Sequence, residues 1–171
     1  MIERDVPSAW VERFAPLIPE GGTVLDLACG GGRHTHFLRG LGFRVVAADI
    51  DVSPIAALCS DEAVEIVEVD LEGSPWPFEG RRFDGIVVTN YLHRPLLPLL
   101  VDSLAPGGVV IYETFAKGNE QYGRPRNPAF LLEPGELERV FVSLLDVIAY
   151  EHADETEPCP AVRQRICARR V

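Results

Sequence analysis

Two polar stretches carry the residues best suited to bind a nucleotide-like ligand. Asp26 is followed by Leu-Ala-Cys and then by three consecutive glycines, Gly30–Gly32. Glycines let the backbone approach a ligand closely, and at a helix start their amides are free to bind it. Asp49 lies nineteen residues beyond Gly30, and an acidic residue at that place can accept hydrogen bonds from both hydroxyls of a ribose. The spacing therefore predicts a ligand with a ribose, either a dinucleotide or an adenosyl compound.

The glycine pattern disfavours the dinucleotide. In the GxGxxG fingerprint a third glycine would stand at position 35, which is Thr35 in this chain. An acidic side chain such as Asp26, one place before the end of the first strand, is also unfavourable beside a pyrophosphate. It suits an ammonium or a sulfonium group, so the residues favour a ligand that carries positive charge.

The elements that must position these residues alternate between apolar strands and helices, which is typical of a parallel sheet covered on both faces. The predicted parallel strands are Thr23–Leu27, Phe43–Ala48, Ala63–Val69, Phe83–Thr89 and, after a turn at Ala105–Gly108, Val109–Thr114. The predicted helices are Ser8–Leu17, His34–Leu41, one opened by Ser53-Pro54, Leu96–Leu104 and Pro134–Val140. Two final β-rich runs, joined by the polar loop His152–Pro160, are predicted to pair antiparallel: Val142–Tyr150 and Val162–Ala168.

Several segments resemble those of one enzyme family in the right order. Val24–Leu38 (VLDLACGGGRHTHFL) resembles motif I of the class I S-adenosylmethionine-dependent methyltransferases. VVAADID, EVDLEG, RRFDGIVVTNYLH and LAPGGVVIYET resemble their later segments, so the likeness covers roughly residues 20–115. The resemblance implies an α/β fold with a seven-stranded Rossmann-like sheet of order 3-2-1-4-5-7-6, its last strand antiparallel and helices on both faces. The GGRH turn and small size are most similar to the TehB-type small-molecule methyltransferases.

The resemblance also implies S-adenosylmethionine as the cofactor and assigns residues to its parts. The methionine part would contact Asp26, Ala28, Cys29, Gly30, Gly31, Gly32, Arg33 and, through its backbone, Asn90. The ribose would bind to Asp49, and the adenine would lie among Ile50, Asp70 and Leu71. For Arg33, an exposed position in the first helical turn is the alternative.

The residues after the fourth strand are the candidates for chemistry on the acceptor. The chain has Thr-Asn-Tyr-Leu at 89–92 in place of the N-P-P-[YF] pattern of the amino-methylating members, which disfavours a nucleobase or glutamine amide as acceptor. Tyr91 and His93 are the candidate catalytic residues, His93 as a general base or an anion contact. A helix-start position without a chemical role is the alternative for His93. For Arg94 the alternatives are an anionic substrate and the protein's own acids.

A segment of about twenty residues, Glu113–Leu132, follows the fifth strand before the next predicted helix. Unstructured loops of this length are uncommon and are often functional lids. A structural cap over the sheet is the alternative. The residues expected to bind the acceptor are Tyr91, His93, Arg94, Tyr122, Arg124 and Arg126.

Composition narrows the partners. The 171 residues carry a net charge of −10, which repels polyanions, so nucleic acid is not an expected partner. The arginines at 163, 165, 169 and 170 alternate with apolar residues and indicate the solvated face of a strand.

No apolar run approaches the ~20 residues that cross a bilayer, and a signal pattern is missing, so we expect a cytoplasmic protein without a membrane partner. The four cysteines are scattered, so neither disulfides nor a metal site is expected.

The expected function is methyl transfer from S-adenosylmethionine to a small-molecule acceptor by a single domain of residues 1–171, as a monomer or a homodimer. Two alternatives stay open. One is a nicotinamide-dependent oxidoreductase, against which the missing third glycine and the closing antiparallel pair count. The other is a cofactor-binding scaffold or regulatory protein without chemistry.

Overall fold

One mixed sheet organises the protein. The computed structural model describes residues 6–157 and 159–171. Its seven strands have the order β3-β2-β1-β4-β5-β7-β6. They are β1 (Thr23–Leu27), β2 (Arg44–Asp49), β3 (Val64–Glu68), β4 (Phe83–Thr89), β5 (Leu104–Phe115), β6 (Asp146–Glu155) and β7 (Ala161–Arg169). β1 to β5 are parallel, and β7 is antiparallel to both β5 and β6. The predicted strand order and closing antiparallel pair are confirmed.

Helices cover both faces of the sheet. The α-helices are α1 (Ala9–Phe14), α2 (Arg33–Gly40), α3 (Leu97–Asp102) and α4 (Glu136–Phe141). Shorter 3-10 helices span Ala15–Leu17, Ser53–Ser60, Arg94–Leu96, Asn119–Gln121 and Pro128–Phe130. α1 and α2 pack on one face, and α3 and α4 pack on the other. Ser8 caps α1, since its hydroxyl accepts a hydrogen bond from the N–H of Trp10, as the sequence predicted. No helix within the described ranges is both long and apolar enough to cross a bilayer.

Two predicted helices are shorter or of another kind. The connection from β2 to β3 is the 3-10 helix Ser53–Ser60 rather than an α-helix. A 3-10 helix rises about 2.0 Å per residue, against about 1.5 Å in an α-helix. This short connection therefore covers a greater distance between β2 and β3 than an α-helix with the same number of residues. The predicted helix Leu96–Leu104 is divided into the 3-10 turn Arg94–Leu96 and α3, and its last residue already belongs to β5.

The later strands are longer than predicted. β5 begins at Leu104, and the expected turn before Val109 is an irregularity inside the strand. Gly108 is required there, because a Cβ would lie 2.9 Å from the carbonyl oxygen of Phe83. β6 runs to Glu155, so the predicted loop His152–Pro160 is shorter. Asp154 and Glu155, which the sequence placed in that loop, lie opposite Val162 and Ala161 of β7. Glu155 also accepts a hydrogen bond from Arg165 of β7, and opposite charges on neighbouring strands stabilise a sheet.

Candidate active site

The carboxyl ends of β1, β2 and β4 meet where the strand order reverses. β1 pairs with β2 on one side and with β4 on the other, and ligands of open α/β sheets bind at such a point. The turn from β1 into α2 has left-handed backbone at Ala28, Gly30 and Gly32, with φ of 54°, 53° and 79°. At Gly32 a Cβ would lie 2.4 Å from Ile55, so this position accepts only glycine without rearrangement.

Asp49, at the end of β2, holds this glycine turn directly. Its Oδ2 accepts a hydrogen bond of 2.8 Å from the N–H of Gly30, and its Oδ1 accepts one of 3.2 Å from the N–H of Asp51. The neighbouring Ile50 side chain is 65% exposed. The sequence placed Gly30 and Asp49 at one site, and the structure brings them into contact.

The residues after β3 differ in what they offer a ligand. Asp70 is exposed, and its Oδ1 accepts hydrogen bonds from the N–H groups of Glu72 and Gly73, each at 3.0 Å. The side chain of Leu71 is buried in the core beneath α3 and β4. A ligand at this edge can therefore meet the Asp70 carboxylate but only the backbone of Leu71.

Asp26 lies below the site rather than in it. Its side chain is 2% exposed, and its Oδ2 accepts a hydrogen bond of 2.6 Å from the hydroxyl of Thr35 on α2. Burial raises the pKa of Asp26 from 3.8 to about 7, although the Thr35 hydrogen bond opposes the shift. The expected contact with the methionine part of a cofactor is not among the interactions of this buried side chain, whose described partner is Thr35. Asp26 braces α2 and, through it, the glycine turn.

A cleft of about 1170 Å³ opens beside the glycine turn on the α1 and α2 face. One wall consists of Ala28, Cys29, Gly30, Gly31, Arg33, His34, Thr89 and Asn90. The opposite wall includes charged residues of β5, β6 and β7, namely Glu113, Glu151, Glu155, Arg163 and Arg165. The arginines of β7 that the sequence assigned to a solvated strand face therefore include two that line this cleft.

The segment before α1 crosses the cleft and is tied to both walls. The N–H of Ser8 donates to His34 Nε2 at 3.0 Å, and the Ser8 hydroxyl donates to Glu113 Oε1 at 2.8 Å. Arg33 Nη1 donates to the carbonyl oxygen of Val6 at 3.1 Å. Burial lowers the pKa of His34 to about 4, so His34 stays neutral and able to accept the Ser8 hydrogen bond. Sequence reasoning missed His34, because its partner lies twenty-six residues away.

Asn90 and Tyr91 follow β4, and both line the smaller cavity beside the cleft. Asn90 has a left-handed backbone with φ of 55°, and its Oδ1 accepts a hydrogen bond of 2.5 Å from Arg163 Nη1. The Tyr91 hydroxyl is buried and lies near the Glu72 carboxylate, but it forms no hydrogen bond of normal geometry with any described residue. Burial, with the carboxylates of Glu72 and Asp70, raises the pKa of Tyr91 to about 12. The phenol therefore stays protonated near neutral pH and cannot serve as a base.

His93 and Arg94 do not have the positions expected of them. His93 is half-buried and lines neither the cleft nor the smaller cavity beside it, so a base or anion-binding role lacks a geometric basis. The Arg94 guanidinium bonds both carboxylate oxygens of Glu136, at 2.6 and 2.9 Å. It also donates to the carbonyl oxygens of Ala129 and Leu131. Arg94 thus ties the long loop to α4, and of the two alternatives that the sequence left open, the protein's own acids are the partners seen.

The loop after β5 is anchored at several points rather than unstructured. Asn119 is buried, and its Oδ1 accepts a hydrogen bond from the N–H of Val162. The Tyr122 hydroxyl donates to Asp154 Oδ1 at 2.7 Å. Arg124 and Arg126 are exposed and line neither cavity. The loop reaches the site instead through Pro125 and Phe130, which line a cavity of about 210 Å³ with Asn90, Tyr91, Leu92, Thr114 and Phe115.

The cysteines do not supply a nucleophile at this edge. Cys29 is buried, and burial raises the pKa of its thiol to about 12, so the thiolate is not populated near neutral pH. Cys29, Cys59 and Cys167 form no disulfide. Across the described residues, no three His, Cys, Asp or Glu side chains are grouped so as to hold a metal ion.

Known proteins resemble this chain both in sequence and in fold. A family model described as a methyltransferase domain matches residues 2–133. The tRNA U34 carboxymethyltransferase of Pseudoalteromonas translucida (strain TAC 125) is 30% identical over 156 residues, which cover 76% of this chain and 47% of the relative. The chain spans about half or less of the length of the curated relatives it matches.

Two solved structures share the fold over almost the whole chain. TehB from Haemophilus influenzae gives a TM-score of 0.75 at 19% identity, over 97% of this chain and 63% of TehB. A 1,6-didemethyltoxoflavin-N1-methyltransferase from Burkholderia thailandensis, with bound 1,6-didemethyltoxoflavin and S-adenosylhomocysteine, gives 0.72 at 20% identity, over 99% and 80% of the two chains. The family match and the sheet order confirm the resemblance drawn from the motifs: this chain belongs to the methyltransferase domain family, within the class I S-adenosylmethionine-dependent methyltransferases.

Proposed function

We propose that this chain binds S-adenosylmethionine along the carboxyl edge of β1, β2 and β4 and transfers its methyl group to a small molecule in the adjacent cleft. The contact between Gly30 and Asp49 carries the proposal. It sets the exposed backbone of a glycine turn beside a carboxylate that we assign to the ribose. Asn90 lines the same cleft.

The residues at this edge fit the cofactor. A Cβ built on Gly30 or Gly31 would meet nothing within 4 Å, so the backbone faces open space. The apolar side chain of Ile50 is left 65% exposed next to Asp49, where an adenine ring would cover it. Covering such a side chain contributes roughly 1 kcal/mol, less than the full burial of an isoleucine.

Each part of the cofactor has candidate partners in this arrangement. Asp49 binds the ribose, while Ile50, Asp70 and the Leu71 backbone surround the adenine. The methionine part lies along Ala28, Cys29, Gly30, Gly31 and Asn90, with Arg33 near its carboxylate. Asp26 and Gly32 position these groups from below and touch no ligand.

When bound, S-adenosylmethionine supplies an electrophilic methyl group on a positive sulfur, and its transfer leaves S-adenosylhomocysteine. The protein contributes alignment, which in favourable systems supplies up to about 7–11 kcal/mol. His34 is neutral and already accepts from Ser8, and Tyr91 stays protonated. We therefore propose an acceptor atom whose lone pair is available without a strong protein base.

The charge and size of the cleft support a small acceptor. Glu113, Glu151 and Glu155 line it, and the chain carries a net charge of −10, so a polyanion approaches against an unfavourable field. The volume of about 1170 Å³ is close to that of ordinary small-molecule sites, which reach about 1,000 Å³. Because one relative of this chain is a tRNA U34 carboxymethyltransferase, tRNA is the alternative acceptor that an experiment must compare with small molecules.

Two measurements test the proposal. Calorimetric titration with S-adenosylhomocysteine should show binding, whereas NAD should not bind; the reverse result would refute the cofactor. The protein is then incubated with S-adenosylmethionine tritiated in the methyl group and with separated small-molecule and RNA fractions of a cell extract. Label should enter the small-molecule fraction and be lost with Asp49→Ala. If label entered only the RNA fraction, the acceptor would be RNA and not a small molecule. If the protein bound the cofactor but transferred no label to either fraction, it would be a cofactor-binding scaffold.

A further inference from the structure

Arg163, near the start of β7, is a half-buried cation beside Asn90. Its side chain is 19% exposed, and its Nη1 donates to Asn90 Oδ1 at 2.5 Å. The guanidinium lies 4.2 Å from the centroid of the Phe115 ring. The carboxylate oxygen Glu155 Oε2 lies 3.8 Å from Nε, which is a long ion-pair contact without a hydrogen bond. Burial lowers the pKa of Arg163 from its ordinary value, although the charges of Glu113 and Glu155 oppose this shift.

Arg165, on the same face of the same strand, has the opposite environment. Its guanidinium bonds the carboxylates of Glu113 and Glu155 and lies 3.7 Å from Glu151. Arg165, on β7, therefore engages the acidic side chains that β5 and β6 present to the cleft. Arg163 has the Asn90 amide and the Phe115 ring as its close partners, and its contact with Glu155 is longer than a hydrogen bond.

The position of Arg163 separates it from the proposed cofactor carboxylate. The strands run in the order β1, β4, β5, β7, spaced by about 4.8 Å each. Asn90 follows β4, so it lies between the glycine turn after β1 and Arg163 on β7. A ligand group bound to Arg163 is thus on the far side of Asn90 from the methionine part.

We propose that Arg163 binds a carboxylate, or a comparably compact single anion, carried by the small-molecule acceptor. This inference rests on the proposed function and specifies its substrate class. The guanidinium is held in place by Asn90 and Phe115, so its remaining N–H donors can pair with a carboxylate in a planar, two-bond arrangement. The charge of Arg165 is already balanced by Glu113 and Glu155. An anionic acceptor therefore has no second strong binding site on this wall of the cleft.

The test uses the full chain saturated with S-adenosylhomocysteine and a panel of small aromatic and aliphatic carboxylates, each paired with its carboxamide. Dissociation constants are measured for every pair in the wild type and in Arg163→Gln, Arg163→Lys and Arg82→Gln. Arg82 is a matched control, because it is exposed at the amino end of β4. We expect at least one acid to bind about tenfold or more tighter than its amide in the wild type and in Arg82→Gln. That preference should fall to about one in Arg163→Gln and be partly kept by Arg163→Lys.

Three results would overturn the inference: no acid preferred in the wild type, a preference that persists in Arg163→Gln, or a tenfold loss of S-adenosylhomocysteine affinity in that variant. The last result would assign Arg163 to the cofactor. If the wild type does not bind S-adenosylhomocysteine at all, the proposed function itself fails. The two failures are therefore distinguished by the first titration.

Discussion

The N–H of Gly30 and the carboxylate of Asp49 are joined by a 2.8 Å hydrogen bond between the turn after β1 and the end of β2. A carboxylate offers about four acceptor positions. Gly30 and Asp51 take two of them. The two that remain match the two hydroxyls of a ribose, so Asp49 can hold the turn and the proposed cofactor together.

Asp49→Ala should therefore weaken S-adenosylhomocysteine binding by about 2–4 kcal/mol, because hydrogen bonds to a charged acceptor are lost together with the support of the glycine turn. Calorimetric titration measures this change. Asp51→Ala is the control, since the Asp51 carboxylate bonds only to Ser53 among the described residues. Equal affinity in Asp49→Ala and the wild type would remove Asp49 from the site.

Gly32→Ala should lower the free energy of unfolding by about 2–4 kcal/mol. The new Cβ would face both a left-handed backbone and a 2.4 Å approach to Ile55, and each costs roughly 1–3 kcal/mol. Gly40→Ala, at the end of α2 with nothing within 4 Å of its Cβ position, is the control and should be neutral or slightly stabilising. Urea unfolding of the wild type, Gly32→Ala and Gly40→Ala gives the three free energies of unfolding. Equal losses of stability in the two variants would contradict the strain at Gly32.

Asp26→Asn should change the dependence of stability on pH. The folded-state pKa of Asp26 is raised to about 7 from its ordinary 3.8, so between these values the folded protein keeps a proton that the unfolded chain releases. The Asp26 contribution to stability is therefore full below about pH 4 and falls as the pH rises to about 7, by up to about 1.4 kcal/mol per pH unit. The stability of Asp26→Asn relative to the wild type should increase over this window. Urea unfolding at several pH values tests this, and a constant difference would refute the raised pKa.

Tyr91→Phe should raise the free energy of unfolding by about 1 kcal/mol, because it removes a buried hydroxyl without a partner among the described residues. The affinity for S-adenosylhomocysteine should change by no more than about threefold. Thermal unfolding and calorimetric titration give the two values. A tenfold loss of affinity would show that the hydroxyl binds the cofactor after all.

Arg94→Gln should destabilise the protein without changing the preference for acids over amides in the cleft. Its ion pair with Glu136 is partly exposed, so a double-mutant cycle with Glu136→Gln should give a coupling of only about 0.5–1 kcal/mol. Loss of the acid preference in Arg94→Gln would restore Arg94 as a substrate contact.

The parts of the site that follow from local chemistry were predictable. A glycine run after an apolar strand, and an acid at the end of the next strand, predicted the meeting of Gly30 and Asp49 without knowledge of any distant contact. The strand order came from the family resemblance, and the sheet has that order.

The parts that depend on distant partners were not predictable. Arg94 is forty-two residues from Glu136, and Glu113 is fifty-two from Arg165, so residue type alone could not show that these charges pair with each other. The burial of Asp26 could not be predicted for a related reason. A carboxylate at a strand end reads the same in sequence whether it faces a ligand or, as here, the Thr35 hydroxyl beneath the turn.

Asp26 and His34 together have a consequence for the proton balance of unfolding. Near pH 5 to 6 the folded protein carries a proton on Asp26 and none on His34, given pKa values of about 7 and about 4. The unfolded chain carries its proton on the histidine instead, since the ordinary values are 3.8 and 6.5. For these two groups taken together, unfolding in this range shifts one proton from Asp26 to His34 and exchanges almost none with the buffer. Their opposing slopes cancel, so an acid titration of the wild type would conceal two strongly shifted groups that single substitutions reveal.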